Sequence, residues 1–162
     1  MKTSILFLFI MSVAFSSCAQ KWPVKNIYAY KTERMPGTIR VNENGEQISP
    51  KSFISYQLYV ESTSAVLWQK AWIAGKSYAV TASEITQFPL QAGVDRNSGK
   101  AILIKHKPGV KLFEIALGSD ADKVPAPSNA SPGKIILKGI YKNKVILKTI
   151  NNVVDLYVEP SV

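Results

Sequence analysis

Beyond its first twenty positions, most of this chain alternates apolar and polar residues one for one. Over residues 51–61 (KSFISYQLYVE), Ile54, Tyr56, Leu58 and Val60 fall on one side, with Ser55, Gln57 and Tyr59 on the other. Residues 134–142 (KIILKGIYK) set Ile135, Leu137 and Tyr141 against Lys134, Lys138 and Lys142. A repeat of two is that of a half-buried β-strand. It extends to 26–31, where Tyr28 and Tyr30 are in phase, and to 77–82, 100–107 and 110–117. Residues 144–150 continue it with Val145 and Leu147 expected inward, and Val154, Leu156 and Val158 form a last inward set.

Turn chemistry separates these runs. Pro108-Gly109 parts two of them, Asn42–Gly45 (NENG) predicts a hairpin, and residues 95–99 (DRNSG) close a connection. The stretch 64–73 (SAVLWQKAWI) reads as a strand with Trp68 and Trp72 on one face, and 80–87 has room for a helical turn. Asn143 and Asn151-Asn152 mark turns that make 134–158 a three-strand meander. Around ten short strands predict an all-β fold: a single-domain antiparallel sandwich or barrel-like meander. Residues 118–133 (GSDADKVPAPSNASPG) are the one long irregular stretch, and such stretches tend to carry function or motion.

The start of the chain has a different pattern. After Met1-Lys2-Thr3, residues 4–15 (SILFLFIMSVAF) carry no charge. That is the length of a signal-peptide apolar region and short of the about 20 residues that span a bilayer. Phe15-Ser16-Ser17-Cys18 then resembles the lipobox of bacterial lipoproteins, and the Ser-Cys-Ala-Gln run is similar to that of Bacteroidetes lipoproteins. The resemblance covers about the first 20 residues and implies cleavage before Cys18, with a diacylglycerol on its sulfur. The expected organisation is a signal peptide at 1–17, a tether at 18–24 and a β-rich domain at 25–162. The expected address is the cell envelope, lipid-anchored to the outer membrane and facing the periplasm or the exterior.

Charge narrows the partners. The 162-residue chain carries 20 Lys and Arg against 11 Asp and Glu, and loses only Lys2 with residues 1–17, leaving +8. Residues 100–148 hold ten lysines and three acids. A basic surface suits phosphates or acidic polymers, and an envelope address argues for protein, glycan or anionic polymer and against nucleic acid. Two surfaces are candidates: an aromatic one of Trp68, Trp72 and Tyr78 for a ligand, and a lysine set of Lys134, Lys138, Lys142 and Lys148 for an anion. Both residue classes have ordinary structural uses, aromatics in β-cores and lysines on edge strands.

Catalytic chemistry is thinly represented. There is one histidine, His106, in phase with Ile102 and Ile104 and so expected to be at least half-buried, and no G-x-S-x-G elbow. One His and one Cys cannot furnish a zinc site. Asp95-x-Asn97-x-Gly99 and Asp120-x-Asp122 lack the later bidentate Glu of a calcium loop. No catalytic residue, metal or cofactor is therefore assigned. The expected function is a non-catalytic binding or assembly module, the alternative a small envelope hydrolase using scattered carboxylates or His106.

Overall fold

The computed structural model describes residues 22–34, 40–48, 52–119, 124–128 and 133–158. The segment read as signal peptide, Cys18 and the tether through residue 21 lie outside them. So do residues 120–123 and 129–132 of the proline-rich stretch, including the Asp120-x-Asp122 candidate. Among the described residues the protein is all-β, with twelve strands and no helix. These are β1 (Val24–Arg34), β2 (Arg40–Val41), β3 (Gln47–Ile48), β4 (Phe53–Ser62), β5 (Leu67–Ile73) and β6 (Lys76–Ile85), followed by β7 (Leu90–Val94), β8 (Ala101–Ile104), β9 (Lys111–Ser119), β10 (Ile135–Tyr141), β11 (Lys144–Ile150) and β12 (Val154–Leu156).

Eight strands form one sheet in the order β11-β10-β5-β6-β9-β4-β1-β12, and β2-β3 and β7-β8 form separate hairpins. Every pairing in the large sheet is antiparallel except β1 with β12, which is parallel. The predicted meander over 134–158 therefore stops after β11. Ile150 ends β11 at one margin of the sheet and Val154 begins β12 at the other. Four Cα steps of about 3.8 Å span at most about 15 Å, so the two margins must come together. The sheet is a curled, barrel-like wall with a seam, and one extended path crosses it, bonded first to β10 and then to β1.

Two apolar clusters hold this shape. Inside the curl, Leu58, Val60, Trp68, Ile115, Ile135 and Leu137 are buried together. On the outer side of β1, β4 and β9, Tyr30, Tyr59 and Leu112 pack with Ala92 and Ile104 of the β7-β8 hairpin and with Leu156. The end of β4 is therefore buried on both faces from Leu58 to Ser62, whereas Ile54 near its start is exposed. Short β12 also ties the hairpin to the wall: Tyr157 N–H donates to the Val94 carbonyl (2.8 Å) and Arg96 N–H to the Asp155 carbonyl (2.9 Å).

Two local devices shift the faces from those the alternation predicts. A register irregularity opposite Lys138/Gly139 leaves Gln69 as an extra residue in β5, since Lys138 pairs Lys70 and Gly139 pairs Trp68. Such a bulge reverses the facing of the strand residues beyond it. Trp68 joins the inner core with Ala71 and Ile73, and Trp72 turns outward, so the two tryptophans do not share a face. The second device is the Lys142-Asn143 turn, in which both residues have positive φ, 48° and 60°. A two-residue turn of that hand matches the strand twist and sets Tyr141 opposite Lys144. Gly139 then faces Ile146, and Ile140 faces Val145. Ile146 is buried at 3% exposure, and Val145 and Leu147 stand outward at 58% and 49%, the reverse of the expected phase.

Candidate functional site

The seam opens into a recess at the end of the wall where β1 and β5 finish. Its volume is about 310 Å³. Ile73, Ile135 and Val153 give it an apolar floor, the first two buried members of the inner core. Its polar rim comes from three parts of the chain. Lys31 and Tyr56 stand opposite each other on β1 and β4, Lys134 precedes β10, and Asn151 and Asn152 occupy the break between β11 and β12. Asp155 on β12 receives Lys31 Nζ at 3.0 Å. That hydrogen bond, against a smaller opposing effect of burial, raises the Lys31 pKa and holds the ammonium charged.

The Lys31–Asp155 pair is neutral as a unit, and Lys134 has no ion-pair partner among the described residues. Among the described residues the recess therefore carries one positive charge without a counter-ion. Around it the Tyr56 phenol and the Asn151 and Asn152 amides make no side-chain hydrogen bond to another described residue. Concave sites that combine an apolar floor with a few converging polar groups, set in the mouth of a β-barrel, are the usual form of a small-molecule site.

A second polar cluster lies outside the wall. Glu61 on β4 has a side chain only 4% exposed. Its carboxylate accepts from Asn26 Nδ2 (2.7 Å), Tyr28 OH (3.0 Å) and Lys107 Nζ (2.8 Å), and Lys107 Nζ also reaches the Tyr28 oxygen at 3.3 Å. Burial alone would raise the Glu61 pKa, but the donors from Lys107, Asn26 and Tyr28 together outweigh it and leave the carboxyl below its ordinary value. Beside this cluster, burial and the neighbouring Tyr28 and Tyr59 push the Tyr30 phenol up to about 12. These contacts strap the loop after β8 to the wall. They do so with one carboxylate, where acid–base hydrolysis of a glycoside needs two.

The residues singled out in the sequence are dispersed. Trp68 (5% exposed) is in the inner core, Trp72 (4%) is buried on the outer face, and Tyr78 is half-buried against the inner core. They form no exposed platform. Trp72 Nε1 donates to the Val124 carbonyl at 3.1 Å, so part of the proline-rich stretch lies across it. The four lysines also separate. Lys138 faces outward beside Leu147, and Lys148, opposite Leu137, is on the inner side near the start of β1. Lys142 is in the β10-β11 turn with its ammonium 5.4 Å from the Tyr141 ring centroid, and Lys134 alone lines the recess. Cys18 lies outside the described residues.

His106 departs from expectation as well. β8 ends at Ile104, and residues 105–110 leave the sheet for the Pro108-Gly109 turn, so His106 is exposed, its ring 5.1 Å from that of Phe88. The shallow depression it lines contains Glu84, already paired with Lys111 Nζ at 2.9 Å. Asp95 accepts the backbone N–H groups of Asn97 (2.7 Å) and Ser98 (2.9 Å), which account for its turn and lower its pKa. Among the described residues no group of three or more His, Cys, Asp or Glu side chains is placed to hold a metal ion.

Of the recess residues, the alternation had singled out only Lys134. Lys31, Tyr56 and Asp155 looked like ordinary strand positions, and Asn151-Asn152 like a turn. An asparagine pair interrupting two apolar-alternating runs was the available signal. Comparison of the chain with protein-family models, with curated proteins and with solved structures finds no match.

Proposed function

We propose that this chain is a cell-envelope lipoprotein, held by a lipid on Cys18 at the outer membrane, whose β-domain is a non-catalytic binding module that takes its ligand in the seam recess. The polarity of β1 carries this reading. The chain enters the fold at Val24, six residues after Cys18, and the recess lies at Lys31 toward the other end of the same strand. Seven residues of strand at about 3.3 Å each set the two roughly 23 Å apart. An anchor at the entry end leaves the recess facing away from the membrane, where a soluble ligand arrives. Two or more acyl chains suffice for stable anchoring, so the basic surface is free for other work.

The hydrolase alternative gains nothing from the geometry, because Glu61 is fully engaged as a strap and His106 lies exposed on Phe88. Fatty-acid labelling in the native host tests the anchor. Wild type should incorporate label and Cys18→Ala should not, and label retained in the mutant overturns the lipoprotein assignment.

A further inference from the structure

From the charge and hydrogen-bonding groups of the seam recess, which the binding-module reading makes the ligand site, we infer that its ligand is a small oxyanion, a carboxylate or phosphate carried on a body no larger than about one sugar ring. The volume of about 310 Å³ is at the small end of sites for small molecules, which run about 300–1,000 Å³. Cations and donors dominate the rim. Lys134 supplies a charge with no counter-ion among the described residues, the Asn151 and Asn152 amides and the Tyr56 phenol supply hydrogen bonds, and the one carboxylate, Asp155, is held by Lys31. An anion there balances the charge that the described residues bring to the recess, and a cation would meet the Lys134 ammonium. The amides offer both donors and acceptors, so hydroxyl groups next to the anion are accommodated too. Half-buried Val153 offers the apolar edge of a ring a contact.

Other basic positions are less suited. Lys107 and Lys111 already face Glu61 and Glu84, and Lys138 faces outward, away from the recess. Lys134 combines concavity, an apolar floor and amides with no side-chain hydrogen bond to another described residue; Lys25 and Lys148 line a more open neighbouring concavity that shares Asn151 and Asn152.

The test is a titration of the full chain in detergent, followed through the side-chain amide resonances of Asn151 and Asn152 at constant ionic strength. The probes are glucuronate, its neutral counterpart glucose, and inorganic phosphate. Saturable shifts with glucuronate or phosphate and none with glucose are expected. A response to only one anion identifies the carboxylate or the phosphate as the source. Lys134→Met, with the rest of the spectrum unchanged, should weaken binding about tenfold or more, the loss of one charge-assisted hydrogen bond. Lys138→Met should leave it intact. Equal saturation by glucose overturns the anion assignment and leaves a binding module standing. Absence of saturation by all three probes, or equal weakening by Lys138→Met, removes the inference outright. None of these results bears on Cys18, whose labelling is read separately.

Discussion

Two glycines of the same wall should respond to alanine with opposite signs. Gly139 lies in β10 opposite Trp68, and a Cβ built there comes within 2.9 Å of Trp68 Cε3, 2.9 Å of Val66 Cγ1 and 3.1 Å of the Leu67 carbonyl oxygen. Both side chains belong to the buried inner cluster and have nowhere to retreat. Overpacking of this kind costs about 1–3 kcal/mol. Alanine recovers about 0.4–1 kcal/mol by restricting the unfolded chain, so Gly139→Ala should destabilise by about 1–2 kcal/mol. Gly118 in β9 also lacks a positive φ, and its Cβ would meet only the Ala79 carbonyl oxygen at an ordinary 3.7 Å. Gly118→Ala should therefore stabilise by about 0.4–1 kcal/mol. For a domain of this size each kcal/mol moves Tm by roughly 3–4 °C, placing the two variants about 5–10 °C apart on either side of wild type. Thermal unfolding followed by circular dichroism reads this directly. A Gly139→Ala Tm at or above wild type would refute the packing of Trp68 onto the β10 backbone, and with it the bulge that turns Trp68 inward.

The register of β11 gives a second contrast: Ile146→Ala should lose about 2–4 kcal/mol in a urea titration, and Val145→Ala less than about 0.5 kcal/mol. The reverse order would restore the phase predicted from alternation. Glu61 has a folded pKa below its ordinary 4.5, so its contribution is full above that value and is lost as pH falls through the depressed folded one. Urea midpoints measured down the acid range should fall along a limb that flattens in Glu61→Gln.

Much of the wall was legible because its strands bury one face. Tyr56, Leu58 and Val60 do line the core from β4, and the hairpin at Asn42–Gly45 and the turn at Pro108-Gly109 lie where their turn residues put them. Alternation failed where three apolar residues run together or an extra residue intervenes. Val145-Ile146-Leu147 supports either phase, and the two positive-φ residues of the preceding turn decide between them. A bulge at Gln69 has no signature in SAVLWQKAWI. The recess was harder still, since its rim is assembled by a parallel pairing of β1 with β12 across the length of the domain, and pairing partners leave no local trace. Glu61 was hidden for a related reason, as its three donors come from β1 and from the loop after β8.

The crossing of the seam also bears on how such a chain is made. β12 is the last of the twelve described strands in chain order, and it pairs with the first. Closing so long a loop is entropically costly and slow. Until residues 154–156 emerge, the margin of β1 has no partner, the outer cluster lacks Leu156, and the backbone of Gly93, against which Leu156 packs, is bare. A chain lacking β12 therefore leaves the wall unclosed. One cut short before β12 keeps the margin of β1 as an open strand edge, a template for pairing with another chain. These three residues close both the margin of the sheet and the outer cluster.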